Sequence, residues 1–424
     1  MSMPWIQSMP GHWVKIRAKN IFTKQNRAIC EQDDVVTCFR DGTVTLRKNR
    51  RISGFTESTQ WSGYQGVRKG DLVIHVMDAF AGAIGVSDSN GKSTPVYSVC
   101  TAKIDVNNHY YAYLLREMAR SGFIQSLYRG IRERSSDFRF EVFAGLYLPL
   151  PPRDEQDQIV RFLDWKVSQI NKLINAKRRQ VELLREKRRV MISSQLRGEL
   201  VWLKRLLISP FQYGANDSGV EFSPTLPRYI RITDISLGGN LKNDGLKSLT
   251  NKIAEPYLLA DGDILFARSG ATAGKTFLYK SKYGICGFAG YLIRAKIDKN
   301  KILPEYLMYI TNGADYEQWK NSVFIQATIQ NISAERYGQL PVPLPSLAEQ
   351  HKIVAHLDEQ CENTDRLIGK FNDEITLFTE YRIRLISDVV TGKTDICDVS
   401  IPEYEYMKDN IGDENINEEM EDVE

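Results

Sequence analysis

Histidine is scarce in this chain: it has five in 424 residues, and none stands beside a Cys, Ser or Asp that would complete a nucleophilic triad. The six cysteines, Cys30, Cys38, Cys100, Cys286, Cys361 and Cys397, are far apart, with no C-x-x-C pair and no histidine at ligand spacing. Reduced thiols are therefore expected, and no metal. No apolar run reaches the ~20 residues that a membrane-crossing helix needs. The first residues, MSMPWIQSMPGHW, lack the basic start and apolar core of a secretory signal. A cytoplasmic protein without membrane contact, and poorly supplied for catalysis, is the expectation.

One stretch stands against that reading. ILFARSGATAGKTF, residues 264–277, resembles a phosphate loop of the form G-x-x-x-x-G-K-[ST]. The interval from Gly270 to Gly274 is one residue short, however. A phosphate loop also opens a helix, whereas Phe277, Leu278 and Tyr279 are β-prone. A P-loop-like NTPase remains as one alternative.

The net charge of +3 conceals an uneven distribution. Residues 403–424 carry ten carboxylates against Lys408, which leaves the first 402 residues at about +12. The end of the chain reads as an acidic, disordered tail, residues 394–424. The remainder is basic, as suits a nucleic-acid partner.

What the chain has in abundance is itself. LPLPPRDEQDQIVRFLD at 148–164 returns without a gap as VPLPSLAEQHKIVAHLD at 342–358. The register continues through Ile192 and Ile386 to Gly198 and Gly392. Fainter echoes precede each segment: Trp13 and Lys15 with Trp202 and Lys204, GDLVI at Gly70 with GDILF at Gly262, AKID at Ala102 with AKID at Ala295, and Tyr113 with Tyr306. The organisation predicted is a first globular domain over 1–151, a helix over 152–198, a second domain over 199–345, a helix over 346–393, and the tail.

Proline stops the chain before each helix. Apolar residues then recur every third or fourth position: Ile159, Leu163, Ile170, Leu173, Val181, Leu184 and Met191 in the first helix, and Ile353, Leu357, Cys361, Ile368, Phe371, Ile375, Phe378, Leu385 and Val389 in the second. That spacing predicts an antiparallel coiled coil. Residues 153–197 hold twelve basic and six acidic groups, whereas 347–392 hold five and nine, so the two helices should pair with each other. Gly198 and Gly392 are expected to cap them. A plain coiled-coil scaffold is the second alternative.

Short β-prone runs at residues 43–46, 71–76 and 262–267, with helical patterns at 110–121 and 304–312, make each domain α+β. The predicted fold is two similar α/β domains separated by two long helices, related by a pseudo-two-fold internal repeat.

The doubled P-L-P-x-x-x-E-Q-x-x-I-V-x-x-L-D at Pro149 and Pro343, the helix after each and the divergent domain before each resemble the specificity subunit of a Type I DNA restriction-modification enzyme. The resemblance implies two target-recognition domains, each reading one half of a bipartite site in double-stranded DNA. It implies spacer helices that also dock methyltransferase subunits, with Glu155, Gln156, Ile159 and Leu163 and their counterparts Glu349, Gln350, Ile353 and Leu357 in the shared motif. It further implies a non-catalytic chain without a cofactor of its own. S-adenosylmethionine and ATP belong to partner subunits: two modification subunits and, in some systems, motor-nuclease restriction subunits.

DNA readout needs Arg or Lys for guanine and Asn or Gln for adenine, while phosphates take Lys, Arg and backbone N–H groups. Arg47, Lys48, Arg50 and Arg51 form a basic run that suits phosphates. Arg132 and Arg134, and at the corresponding place Gln326, Thr328, Gln330 and Asn331, alternate as an extended base-reading face would. His75 and Asp78 follow GDLVI as Arg268, Ser269, Thr272 and Lys275 follow GDILF. The first pair is expected at bases, the second set at phosphates. Gly82, Gly85, Gly270 and Gly274 would let that loop turn tightly.

Overall fold

The computed structural model describes residues 3–6, 8–30, 32–50, 63–127, 137–236, 239–270, 272–325 and 331–407. The chain forms two compact units, Met1–Lys177 with Glu374–Glu424, and Arg178–Asp373. Each contains one globular domain and part of both long helices.

In the first unit β1 (Val14–Arg17) pairs antiparallel with β6 (Tyr147–Leu150), the strand whose prolines precede the first long helix. Among the described residues a four-stranded sheet runs β2 (Phe22–Lys24), β5 (Tyr97–Ala102), β3 (Leu72–His75), β4 (Ile84–Val86). Helix α1 (Asn108–Arg120) covers it, and Asn107 caps that helix by accepting from the His109 N–H. Tyr110, Tyr111, Leu114 and Met118 on one face of α1 are fully buried, as the 3.6-residue period requires.

The second unit repeats this plan. Strand β7 (Glu199–Trp202) pairs with β12 (Pro341–Leu344), and β8 (Gln212–Tyr213), β11 (Leu292–Ala295), β9 (Ile264–Ala267), β10 (Thr276–Leu278) form the corresponding sheet under α3 (Pro304–Ile310). The strands and helices expected near residues 43–46, 71–76, 262–267, 110–121 and 304–312 are all present. Leu72 faces Val86 as Ile264 faces Leu278, which fixes GDLVI and GDILF as true equivalents. Gly70 and Gly262 both have φ of 92°.

Three fainter echoes fall out of register. Leu72 pairs with Cys100, whereas Ile264 pairs with Ala295, so the two AKID segments sit two residues apart. The helix start at Asn107 matches Leu303, which makes Tyr309 rather than Tyr306 the partner of Tyr113. Both tyrosines donate from their hydroxyl to a carboxylate of the following helix, at Asp164 and Asp358. Trp13 is buried with its indole N–H on Glu155, while Trp202 is exposed. Backbone pairing and buried hydrogen bonds set these equivalences, and local identity of letters does not.

The long helices are α2 (Arg153–Gln195) and α4 (Leu347–Val390). Pro151 and Pro152 precede α2, and Asp154 and Glu155 lie in its first turn, where the helix dipole favours carboxylates. Within the first unit Lys177 meets Glu374 at 2.7 Å, and Arg382 donates to Asn171. Arg188 meets Asp365 at 3.1 Å within the second. In the first unit α2 and α4 therefore run antiparallel, and in both units a basic group of α2 meets an acidic group of α4. Ile170 and Ile174 are buried, but Leu173, expected in the seam, is 48% exposed. Gly392, at φ 75°, follows α4 as a left-handed cap. Gly198 stands three residues past α2, pressed on the Leu344 backbone, so close approach rather than capping demands a glycine there.

The C-terminal segment departs from the expected tail. Ile396 is buried against Val389 and Val390. Gln158 donates to the carbonyls of Ile396 and Val399, Ser168 to that of Glu405, and Asn171 to that of Met407. Apolar anchors at Ile396 and Ile401 hold it on α2, which overrides its polar composition. Residues 408–424 lie outside the described residues.

Candidate nucleic-acid interface

The repeated motif spends its Gln on architecture. The Gln156 side chain accepts from the Asn107 N–H at 2.9 Å and donates to the Pro151 carbonyl. Gln350 accepts from the Leu303 N–H at 2.8 Å and donates to the carbonyls of Lys301 and Pro345. Both amides are fully buried, and each ties the start of a long helix to the start of α1 or α3. Ile159 and Leu163 pack with Trp13, Tyr110 and Val390, and Ile353 and Leu357 with Ile192 and Tyr306. Glu155 accepts from Trp13 and lies 2.9 Å from His12, whereas the Glu349 backbone N–H reaches Ser346. Six of these eight motif residues are thus buried fasteners, unavailable to a docking partner. Gln350→Ala should strand three buried polar groups and cost roughly 2–4 kcal/mol. The check is a lowered denaturation midpoint at unchanged slope.

Both domains build their candidate DNA surface at one place, the end of the central strand. The Phe138 N–H donates to the Val76 carbonyl in the first, and the Ile332 N–H to the Arg268 carbonyl in the second. Each bond returns the segment that precedes the last short helix to the strand end. In the second unit it brings two stretches of candidates together: Ser269 and Asn331 form an antiparallel bridge, and Arg268 Nε donates to Asn331 Oδ1 at 3.3 Å. Arg268 also lies over the Tyr213 ring, 5.2 Å from its centroid.

Among its described residues the adjoining loop forms no phosphate cradle. The N–H groups of Ala273, Gly274 and Lys275 are already bound to the carbonyls of Gly270, Ala267 and Thr272, and Thr276 opens a strand rather than a helix. Gly274 and its equivalent Gly82 have φ of 88° and 90°. Gly270 is also left-handed, while Gly85 lies in β4, where a side chain would collide with the Gly42 carbonyl. Lys275 shares this edge with Lys242 and Lys320. Burial first, then those two lysines, hold its pKa below the ordinary value. An arriving phosphate would relieve that repulsion.

In the first unit His75 and Asp78 are tied to each other. The His75 ring nitrogen Nδ1 accepts from the Asp78 N–H at 3.0 Å, and its ring meets Tyr97 edge-on. Burial lowers the His75 pKa, and Arg40 binds Asp78 at 3.1 Å. Arg47 bonds Thr37, Lys48 pairs with Asp34, and Arg50 pairs with Asp41 over the Phe39 ring. The basic run therefore carries internal counter-charges that the sequence spacing did not reveal. Arg51, Arg132, Arg134, Gln326, Thr328 and Gln330 lie outside the described residues. Tyr213, Lys242 and Lys320 join the site only through folding, since each is distant in sequence from the loop it flanks.

Residues 228–377, which span Arg268, Lys275 and Asn331, match the family model described as "Type I restriction modification DNA specificity domain". The chain is 24% identical over 307 residues to the Type I restriction enzyme StySPI specificity subunit of Salmonella potsdam, covering 68% of this chain and 66% of that one. The chain is thus similar to Type I restriction-modification specificity subunits, and its residues 228–377 match their DNA specificity domain. A second similar protein, the putative type I restriction enzyme MjaX specificity subunit of Methanocaldococcus jannaschii, is 29% identical over 138 residues, covering 32% of each chain. The EcoKI specificity subunit of Escherichia coli is 24% identical over 171 residues, covering 39% of this chain and 36% of that one. Each match spans less than two thirds of the relative's length. A chain solved in a study of "complex assembly" and "conformational transition of the type I R-M system" has the same fold, with a TM-score of 0.68 at 14% identity, covering 91% of this chain and all of that one. The chain shows no helix among its described residues long and apolar enough to cross a membrane, and no His, Cys, Asp and Glu cluster there that could hold a metal.

Proposed function

We propose that this chain is the non-catalytic specificity subunit that directs adenine methylation, and restriction where a nuclease partner exists, to a bipartite DNA target. The observation that carries the reading is the repeated strand end. One hydrogen-bonded scaffold recurs at Val76 and Arg268, with unlike side chains mounted on it, as two unlike half-sites require. S-adenosylmethionine and ATP chemistry falls to partner subunits. Exposed apolar residues on the long helices suit their docking: Leu173, Leu377 and Tyr381 in one unit, and Leu183, Val190 and Leu367 in the other. Three such residues in each unit fit two modification subunits. The proposed role of α2 and α4 is to set the unread gap between the half-sites. The test is the methylation pattern in cells expressing this chain with its modification partner. A split motif with two different halves is expected, and a continuous motif or no methylation would overturn the proposal.

A further inference from the structure

We infer that Arg268, held by Tyr213 and Asn331, reads a guanine through the major groove in one half-site, an assignment that rests on the proposed DNA-recognition function. The backbone at Arg268 is fixed on both sides: its N–H donates to the Tyr291 carbonyl at 2.9 Å, and its carbonyl accepts from Ile332 at 2.8 Å. The side chain is fixed as well. Tyr213 supplies a ring face to the guanidinium, and that ring is itself anchored by β8 at one end and by the Ala334 N–H on its hydroxyl at the other. Asn331 takes Nε. The two terminal nitrogens, Nη1 and Nη2, make no hydrogen bond among the described residues, and no carboxylate there pairs with them.

Two other arginines of this unit are committed elsewhere. Arg231 forks onto Asp234, and Arg294 binds the Leu258 carbonyl and Gln212. Arg268 alone of these three presents an unoccupied planar pair of donors at the surface. A guanine offers O6 and N7 as two adjacent acceptors in the major groove, which matches such a pair. Stacking and the Nε bond remove most of the side chain's rotational freedom before DNA arrives, which favours a directional contact over a loose ionic one. Lys275 and Lys242, flexible point charges on the same edge, are better suited to phosphates. Val76 occupies the equivalent place in the first unit, so this readout is confined to one half of the target.

The test uses the full chain with its modification subunit, and duplexes carrying the methylated motif with each position varied in turn. Arg268→Ala should relax one G·C position in one half-site, with discrimination there falling about 5- to 150-fold and the other half unchanged. Substituting 7-deazaguanine at that position should weaken the native protein and leave Arg268→Ala unaffected. Arg268→Lys keeps the charge and should not restore discrimination. Tyr213→Leu, a second route that leaves the arginine in place, should relax the same position. Uniform weakening on every duplex, rescued by lysine, would make Arg268 a phosphate contact, and relaxation at an A·T position would remove guanine as its target. Either result overturns the assignment while leaving DNA recognition intact. A native protein with no motif at all would instead sink the underlying reading.

Discussion

Raising the salt from 50 to 200 mM should weaken binding of this chain, assembled with its modification partner, to its target by about 10³- to 10⁵-fold. That estimate supposes six to ten neutralised phosphates, each releasing condensed counterions when a Lys or Arg replaces them. The first 402 residues, at about +12, can supply that many. Lys275 and Lys242 sit at the candidate edge with like charge beside them, so phosphate binding lowers an existing repulsion. In the first unit Lys48 and Arg50 must exchange Asp34 and Asp41 for phosphate. The exposed Lys48–Asp34 pair contributes only ~0–1 kcal/mol, so that exchange costs little. The measurement is the slope of log affinity against log salt, expected between about −5 and −9. Lys275→Ala should reduce that slope by roughly one on every sequence, and a flat series would leave the charge distribution without a nucleic-acid role.

Deleting one heptad from each of α2 and α4, at the level where Lys177 meets Glu374, should shift the gap of the methylated target and abolish methylation at the original spacing. Seven residues remove about 10 Å of helix, the length of roughly three base pairs. Removing seven from both helices returns each to nearly the same face, since seven residues are close to two turns. The buried seam residues and the pairing of unlike charges then survive, so the loss reports distance rather than unfolding. Deletion from one helix alone would misalign Asn171 with Arg382 or Arg188 with Asp365 and confound the two. Methylation sequencing checks the outcome. An unchanged gap would show that something other than these helices sets the spacing.

Much of this was legible in the sequence because it is written twice. The repeat of P-L-P-x-x-x-E-Q placed both helices and the domains ahead of them, and GDLVI with GDILF located both central strands. The charges of α2 and α4 announced their pairing, since composition acts over a whole helix face and does not need an exact register. Register itself was not legible. AKID at Ala102 and Ala295, Tyr113 and Tyr306, and Trp13 and Trp202 look equivalent as letters, but the ladder bond from Leu72 to Cys100 and the buried Gln156 and Gln350 amides align other residues.

At the candidate interface the division is sharper. The sequence by itself determined the residue types and their order: a basic chain with few groups for catalysis, a domain and a helix repeated, and polar residues clustered after the same strand in each copy. Only the tertiary structure decided which of them are free to act. It paired Lys48 and Arg50 with carboxylates, turned His75 inward on Asp78, closed the GATAGKT turn on its own carbonyls, and left the Arg268 fork open between Tyr213 and Asn331. The reason is physical: a side chain's availability depends on partners brought from 55 to 63 residues away, as Tyr213 and Asn331 are from Arg268, and no local pattern encodes a contact that only folding makes.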